Sequence, residues 1–466
     1  MTAPALFWFR QDLRLADNPA LEAACRKPVL PVFLLDDEAA GTWRAGGAAR
    51  WWLHRSLAAL DTALRTRGAA LHLARGRAVE VIPALAARIG ANEVHAGLLY
   101  EPWARKRDAE VAERLRAEGG TLFLHSSALL HEPHTLRSGQ GRPYAAFTPF
   151  ARALFGKGEP PAPFRAPQEL SGLELPGLAL EALELLPSDE PAWWQGMEES
   201  WRPGEAGAQS RLARFMAEGL RGYGEGRDRP AIEGTARLSP HLRWGEVSPR
   251  QAWHAARAAG AEGDHGFLKE LLWRDFSYHL LWHRPEMPEA PLARRFEAFP
   301  AVRDMRLLRR WQRGRTGFPL VDAGMRQLWQ TGWMHNRVRM VASSVLVKHL
   351  LQPWQDGAAW FWDTLVDADL ASNSASWQWI GGSGADASPF FRVFNPVLQG
   401  ERFDPEGDYV RRWVPELADV PRRFVHRPWA MPGGPPAPYP TPLVAPEEGR
   451  RRALDAFARM RAAEAA

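Results

Sequence analysis

In the segment Asp367–Gly384, DADLASNSASWQWIGGSG, acid, amide and indole residues fall at helical spacing. Asp369, Asn373 and Trp377 are four residues apart in turn, so a helix would set a carboxylate, an amide and an indole on one face. Such a face is odd for a core seam; the plainer reading is a solvated face with one anchoring Trp. In TGWMHNRVRMVASSVLVKHLL, Asn336 and Met340 share a face, with Arg337 and Arg339 beside them. The apolar run that follows reads as a buried helix, which leaves an Asn and two Arg at its mouth. Guanidinium forks there suit a phosphate or another polar ligand, although a helix entering a core from its wet end has the same pattern. FLKELLWRDFSYHLLWHRP groups Glu270, Trp273 and Ser277, with Arg274 one turn after Glu270. The plain reading is an i,i+4 Glu270–Arg274 pair worth about 0.3–0.5 kcal/mol. The surrounding aromatic residues argue against a simply solvated face. In EGTARLSPHLRWGEVSPR, Ser239 reads as an N-cap with Pro240 at the first helical position. The preceding TARL turn gathers hydroxyls, backbone N–H groups and Arg237 at a helix start, a setting suited to an anion. Most such caps bind only their own backbone.

These stretches need a frame to hold them. The first third alternates short apolar runs (ALFWF, VLPVFLL, ALHLA, EVHAGLL, TLFLH) with helical patterns between them. The runs read as buried strands, and the alternation implies a parallel sheet covered on both faces. No GxGxxG follows the first strand, so a standard dinucleotide site is not supported. A Pro-, Glu- and Leu-rich stretch from about Gly156 to Gly204 reads as a connector lying over the surface. Beyond it the pattern is helical throughout. The expected fold class is α/β: a doubly wound, parallel five-stranded sheet domain over 1–130, a linker over 131–204, and a larger all-helical domain over 205–466.

At 466 residues, two domains are expected. There are 22 Trp against 6 Tyr, and the net charge is +5, which permits a polyanionic partner. Cys25 is the single cysteine, so an internal disulfide and a Cys-rich metal site are excluded. No signal-peptide pattern and no run of transmembrane length is present. The expectation is a cytoplasmic protein with no membrane partner and no metal.

Taken together, FWFRQDLRLADNPAL, the four stretches above, TGFPLVDAGMRQLWQ and FFRVFNPVLQGERFDPEGDYVRRWVPEL resemble the photolyase/cryptochrome family along nearly the whole chain. The pattern is most similar to class I cyclobutane pyrimidine dimer photolyases. The resemblance implies a U-shaped FAD, active as FADH⁻, in the helical domain. Tyr223 and the loop Thr235, Ala236, Arg237, Leu238 and Ser239 would hold its phosphate side. Arg339, Asp367 and Asp369 would line flavin and ribose, and Asn373 would face N5. Plant cryptochromes carry an acid at that place. The resemblance also implies a lesion pocket of Glu270, Trp273, Ser277, Asn336, Met340 and Trp379. Glu270, Asn336 and Asn373 would be the catalytic residues. Arg337, Arg392 and Gln399 would contact the DNA backbone. (6-4) photolyases place two histidines where Asn336 and Met340 stand, so the cyclobutane dimer is the expected lesion. Excited FADH⁻ would give an electron to the flipped-out dimer, the cyclobutane bonds would split, and the electron would return.

Two departures stand out. The family's reducing tryptophan path would start at Trp377 and Trp354, but its usual third place holds Ala301. Photoreduction slowed, or rerouted through Trp360 or Trp362, is expected. An antenna of the folate type is disfavoured by Trp103 and Ala104, so a deazaflavin or FMN near Arg50 and Trp51 is the expected second chromophore, if the domain holds one. The expected partner is UV-damaged DNA, and the expected protein is a monomer. The alternative reading is a cryptochrome-type blue-light photoreceptor.

Overall fold

The computed structural model describes residues 3–187, 193–260, 264–387 and 391–465. Five parallel strands, β1 (Ala5–Phe9), β2 (Val29–Leu35), β3 (His72–Arg75), β4 (Glu93–Gly97) and β5 (Thr121–His125), are ordered β3-β2-β1-β4-β5. Alternation sends Phe7 and Phe9 to one face and Leu6 and Trp8 to the other, each into its own apolar cluster. Helices Gly47–Arg65, Ala78–Ile89 and Pro102–Ala117 supply the covering layers. β5 departs from the expected buried strand. Phe123 is 40% and Leu124 42% exposed, whereas Leu73 of β3, the opposite edge, is buried where the connector bonds it (Leu178 N to Leu73 O, 2.8 Å).

The stretch expected to lie over the surface is instead tied into the first domain's core. Its backbone bonds Val29 on both sides (Val29 N to Ser171 O, 2.8 Å; Leu173 N to Val29 O, 2.9 Å). Leu170, Leu183, Leu185, Met197 and Trp201 are buried in the cluster behind the sheet. Its leucines are spaced to plug that face, and this outweighs the loop-like Pro and Glu content. Earlier in the chain, helix Phe147–Phe155 places Phe147, Phe150 and Leu154 in the helical core.

The turn after β1 joins the two halves. Arg14 is wholly buried and donates to the carbonyls of Asp17 (2.7 Å), Ser127 (2.9 Å) and Gly245 (2.9 Å). Asp17 accepts from Phe164 N (3.1 Å), Arg250 Nη2 (2.6 Å) and the Ser248 hydroxyl. Glu205 takes the N–H groups of Leu15 (2.8 Å) and Ala16 (2.9 Å). Gly245, with φ +65°, lies so close that a Cβ would stand 2.1 Å from the Gln11 carbonyl. Among the described residues, the region from Glu205 onward holds helices and no strand. No helix there or elsewhere in those residues is long and apolar enough to cross a membrane.

Candidate functional site

Asp369 caps helix Leu370–Gly381, its Oδ1 accepting from Ser372 N at 2.7 Å. The helix therefore starts one residue after the acid, and Asp369 stands at the head of the expected face rather than within it. Its other oxygen accepts from the Tyr278 hydroxyl, which ties this cap to helix Asp264–His283. Asp367 accepts from Arg339 Nη2 at 2.8 Å, and Arg339 Nε donates to Met334 O at 2.7 Å. Asn373 donates through Nδ2 to Ala358 O at 3.1 Å, which sets the plane of its amide.

Several buried polar atoms here have no partner among the described residues: Asp367 Oδ1, Arg243 Nη1 and Arg237 Nε. An unsatisfied buried group costs about 1–3 kcal/mol, so three in one region suit a polar ligand. Arg237 has φ +49° and lies against the rings of Trp333 (4.6 Å) and Trp201 (4.8 Å). Burial pushes its guanidinium down to about 10. Thr235 is half-buried, Ala236 and Tyr223 are buried, and Tyr223 packs against Phe215. The expected cap is corrected. Leu238, not Ser239, is the N-cap of the short helix Ser239–Arg243, which therefore starts without a side-chain cap bond. The Ser239 hydroxyl instead accepts from Trp333 Nε1 at 3.3 Å.

The second group forms a mouth. The expected Glu270–Arg274 pair does not form. Glu270 binds Arg227 at 2.6 Å, while Arg274 turns inward to the carbonyls of Ala128 and Leu242. Buried carbonyls hold the guanidinium better than an exposed i,i+4 pair would. Trp273 lies flat on Phe147 (3.6 Å, 9°), and the Ser277 hydroxyl back-bonds Trp273 O at 3.0 Å. Asn336 is exposed, with Nδ2 4.0 Å from Met340 Sδ. Arg337 pairs with Asp228 at 2.8 Å and covers the Phe403 ring. Arg392 is exposed and lies 5.6 Å over Trp379. Gln399 Oε1 is buried without a partner among the described residues.

The family description "DNA photolyase" matches residues 5–168, and "FAD binding domain of DNA photolyase" matches 267–459. The deoxyribodipyrimidine photo-lyase of Agrobacterium fabrum is 47% identical over 98% of each chain. The chain belongs to the DNA photolyase family. Cryptochrome-1 of Arabidopsis thaliana is 36% identical over 99% of this chain and 71% of its own. A crystal structure described as a bacterial class III photolyase from Agrobacterium tumefaciens has a TM-score of 0.95 at 46% identity, covering 99% of this chain and 98% of its own.

Within this photolyase fold, the tryptophans divide. Trp377 is fully buried, edge-on to Phe361 (5.1 Å) and Trp311 (6.3 Å). Trp354 is half-buried at the start of helix Trp354–Thr364. Ala301 lies in a segment zipped to the chain before Trp354 (Val302 N to Leu351 O, 2.9 Å; Gln352 Nε2 to Val302 O, 3.0 Å). Trp362 donates to Arg44 O at 2.8 Å. Trp360 stacks in parallel on Trp329 (5.9 Å, 5°), which is 56% exposed.

Sequence reasoning missed Arg227, Asp228, Arg243, Tyr278 and Lys348. The charge run GRDRP just after Tyr223 was a usable signal for the first two. Lys348 is buried, its ammonium pushed down to about 7 by burial. It donates to the Arg392 carbonyl and lies 4.0 Å over Phe391, so it pins the loop that carries Arg392. Arg50 and Trp51 are already engaged. Arg50 binds Asp37 (2.7 Å) and Ala45 O (2.9 Å), and Trp51, fully buried, donates to Glu198 (2.8 Å).

Proposed function

We propose that this photolyase repairs cyclobutane pyrimidine dimers in UV-damaged DNA, with light and reduced FAD. One observation carries the reading: three helices each hold one group of the polar cradle and one of the mouth. Asp264–His283 bears Tyr278 and Glu270; Asn336–Ser344 bears Arg339 and Asn336; Leu370–Gly381 bears Asn373 and Trp379. A ligand in the cradle and a ligand in the mouth would thus be held by the same rigid elements.

Tyr223, Thr235, Ala236, Arg237, Leu238, Ser239, Arg339, Asp367, Asp369 and Asn373 would hold FAD. The three partnerless polar atoms support that fit. Bound reduced FAD supplies the light-driven electron. Asn373 has Nδ2 on the backbone, so Oδ1 is the atom left to accept from the flavin edge. In the mouth, Trp273 has one face against Phe147 and keeps the other for a base. Stacking of this kind contributes about 1–3 kcal/mol per base, enough to offset the unstacking of a poorly paired lesion. Glu270 would take the pyrimidine edge while Arg227 holds it in place. Arg337, Arg392 and Gln399 would position the backbone. We place the chain with class III, on its 46% identity to the solved class III relative. Trp377 and Trp354 would carry electrons inward, with Trp329 and Trp360 as the route from solvent. The reading includes a monomer acting in the cytoplasm.

The test is light-dependent restoration of UV-irradiated oligothymidine by the FAD-loaded, reduced protein. Repair is expected, and lost with Trp273→Ala. Binding of the oligonucleotide without any light-dependent repair would sink the reading and favour a photoreceptor.

A further inference from the structure

Away from cradle and mouth, four arginines gather around one cleft. Arg309 and Arg310 end helix Met305–Gln312, and Arg313 and Arg315 follow in the turn. With Pro438 and Pro440 opposite, they line a cleft of about 360 Å³. Two arginines nearby have acidic partners: Arg303 binds Asp356 (2.6 Å) and Arg326 binds Glu416 (2.7 and 2.9 Å). The four in the cleft have no ion pair among the described residues; Arg310 reaches only the Arg315 carbonyl, at 3.0 Å. A helix C-terminus favours cations in its last turn, which accounts for Arg309 and Arg310. It does not account for Arg315, which lies two residues past the C-cap Arg313 and adds like-charge repulsion.

The cleft is also braced. Asp322, wholly buried, accepts from Thr316 N (2.7 Å), Thr316 Oγ1 (2.7 Å) and Gly317 N (2.9 Å) on one wall and from Tyr439 Oη (2.7 Å) on the other. Leu443 N bonds Thr316 O at 2.9 Å, and a Cβ at Gly317 would fall 2.4 Å from the Thr441 carbonyl. The two walls are therefore held in register, and Tyr439 stands between the two lining prolines.

We infer that this cleft is a binding site for a compact oligophosphate of two or three linked phosphates, as in inorganic tripolyphosphate or a nucleoside triphosphate. Four guanidinium forks offer bidentate bonds to adjacent phosphates. The volume lies in the small-ligand range of about 300–1,000 Å³. A nucleic-acid backbone would need an extended track, whereas this cleft is lined by only six residues. None of the six lining residues belongs to the cradle or the mouth, so the inference stands apart from the proposed repair reaction.

The test uses the full FAD-loaded chain and sodium tripolyphosphate, followed by titration calorimetry at low salt. Saturable 1:1 binding is expected, weakened at least tenfold in Arg309→Glu/Arg313→Glu and by under threefold in Arg309→Lys/Arg313→Lys. Retained FAD absorbance and far-UV circular dichroism check that each variant is folded. Tyr439→Phe, which loosens one wall without touching charge, should weaken binding several-fold. Repair of UV-irradiated oligothymidine should change by less than twofold. A parallel titration with ATP assigns the source: equal affinity means a bare phosphate chain, and tighter ATP means a nucleotide, each supporting the site. No 1:1 binding by the parent protein would overturn it. So would unchanged binding in the Glu variant, or an undamaged oligonucleotide losing affinity in that variant while tripolyphosphate does not bind.

Discussion

At the scale of single residues, the site separates groups that touch a ligand from groups that hold them. In the proposed reading Asn373 Oδ1 would accept from a protonated flavin edge, whereas an ionised acid would repel an anionic flavin. Asn373→Asp should therefore cut repair of UV-irradiated oligothymidine at least tenfold, with affinity for it unchanged within twofold; equal loss of both would point to a damaged fold instead. Asp275 is a holding residue. It accepts from Leu130 N (3.1 Å) and His131 N (3.0 Å), and burial pushes its carboxyl up to about 7 against the pull of Arg274. Between its ordinary 3.8 and about 7 the folded chain keeps a proton that the unfolded chain has lost. Stability from this group is full below the ordinary value and is lost as pH rises through about 7. Asp275→Asn keeps an acceptor for both amides without a charge. Its urea midpoint should fall less between pH 5 and pH 8 than the parent's, and an equal fall would rule out Asp275 as the cause. Asp369, Asn373 and Trp377 were legible because their spacing is local. The partners Arg227 of Glu270 and Asp228 of Arg337 were not, since those pairs span 43 and 109 positions of sequence.

Helices and strands were legible where period and composition agree, as in β1 and β2, and less so where position in the sheet decides. β5 has a strand's composition, yet Phe123 and Leu124 stand in water, while the other edge strand, β3, is bonded by the connector. The leucine-rich connector erred the other way, because its loop composition conceals a plugging face. Helix Trp354–Thr364 shows how closely neighbouring elements fit. A Cβ at Gly357 would stand 2.2 Å from the Trp377 ring. Gly357→Ala should therefore cost about 1–3 kcal/mol by overpacking, read from urea unfolding, and shift the Trp377 environment. The same helix carries Trp360 against the exposed Trp329. With Ala301 in the usual third place, Trp360→Phe should slow steady-state photoreduction of FAD several-fold while leaving repair by chemically reduced protein intact. Photoreduction at the parent rate would exclude that route.

At the scale of the whole molecule, the union of the two halves was the least legible feature, because its bonds join residues up to 318 positions apart. Asp17 is its hub. Asp17→Ala would leave Arg250 and the Ser248 hydroxyl without their acceptor, and should destabilise the protein by about 3–5 kcal/mol in a denaturant titration. A loss under 1 kcal/mol would mean that water replaces the carboxylate at little cost.

The turn after β1 also has a consequence for the order of synthesis. Arg14 and Asp17 leave the ribosome well before Gly245, Ser248 and Arg250, which follow more than two hundred positions later. Until then the nascent first half carries a guanidinium and a carboxylate whose burial sites do not yet exist. It must wait, with that turn open to water, for the second half to close over it. A fragment ending at Gly204 should therefore be cut by protease near this turn far faster than the full chain, and equal resistance would show that the first half matures alone.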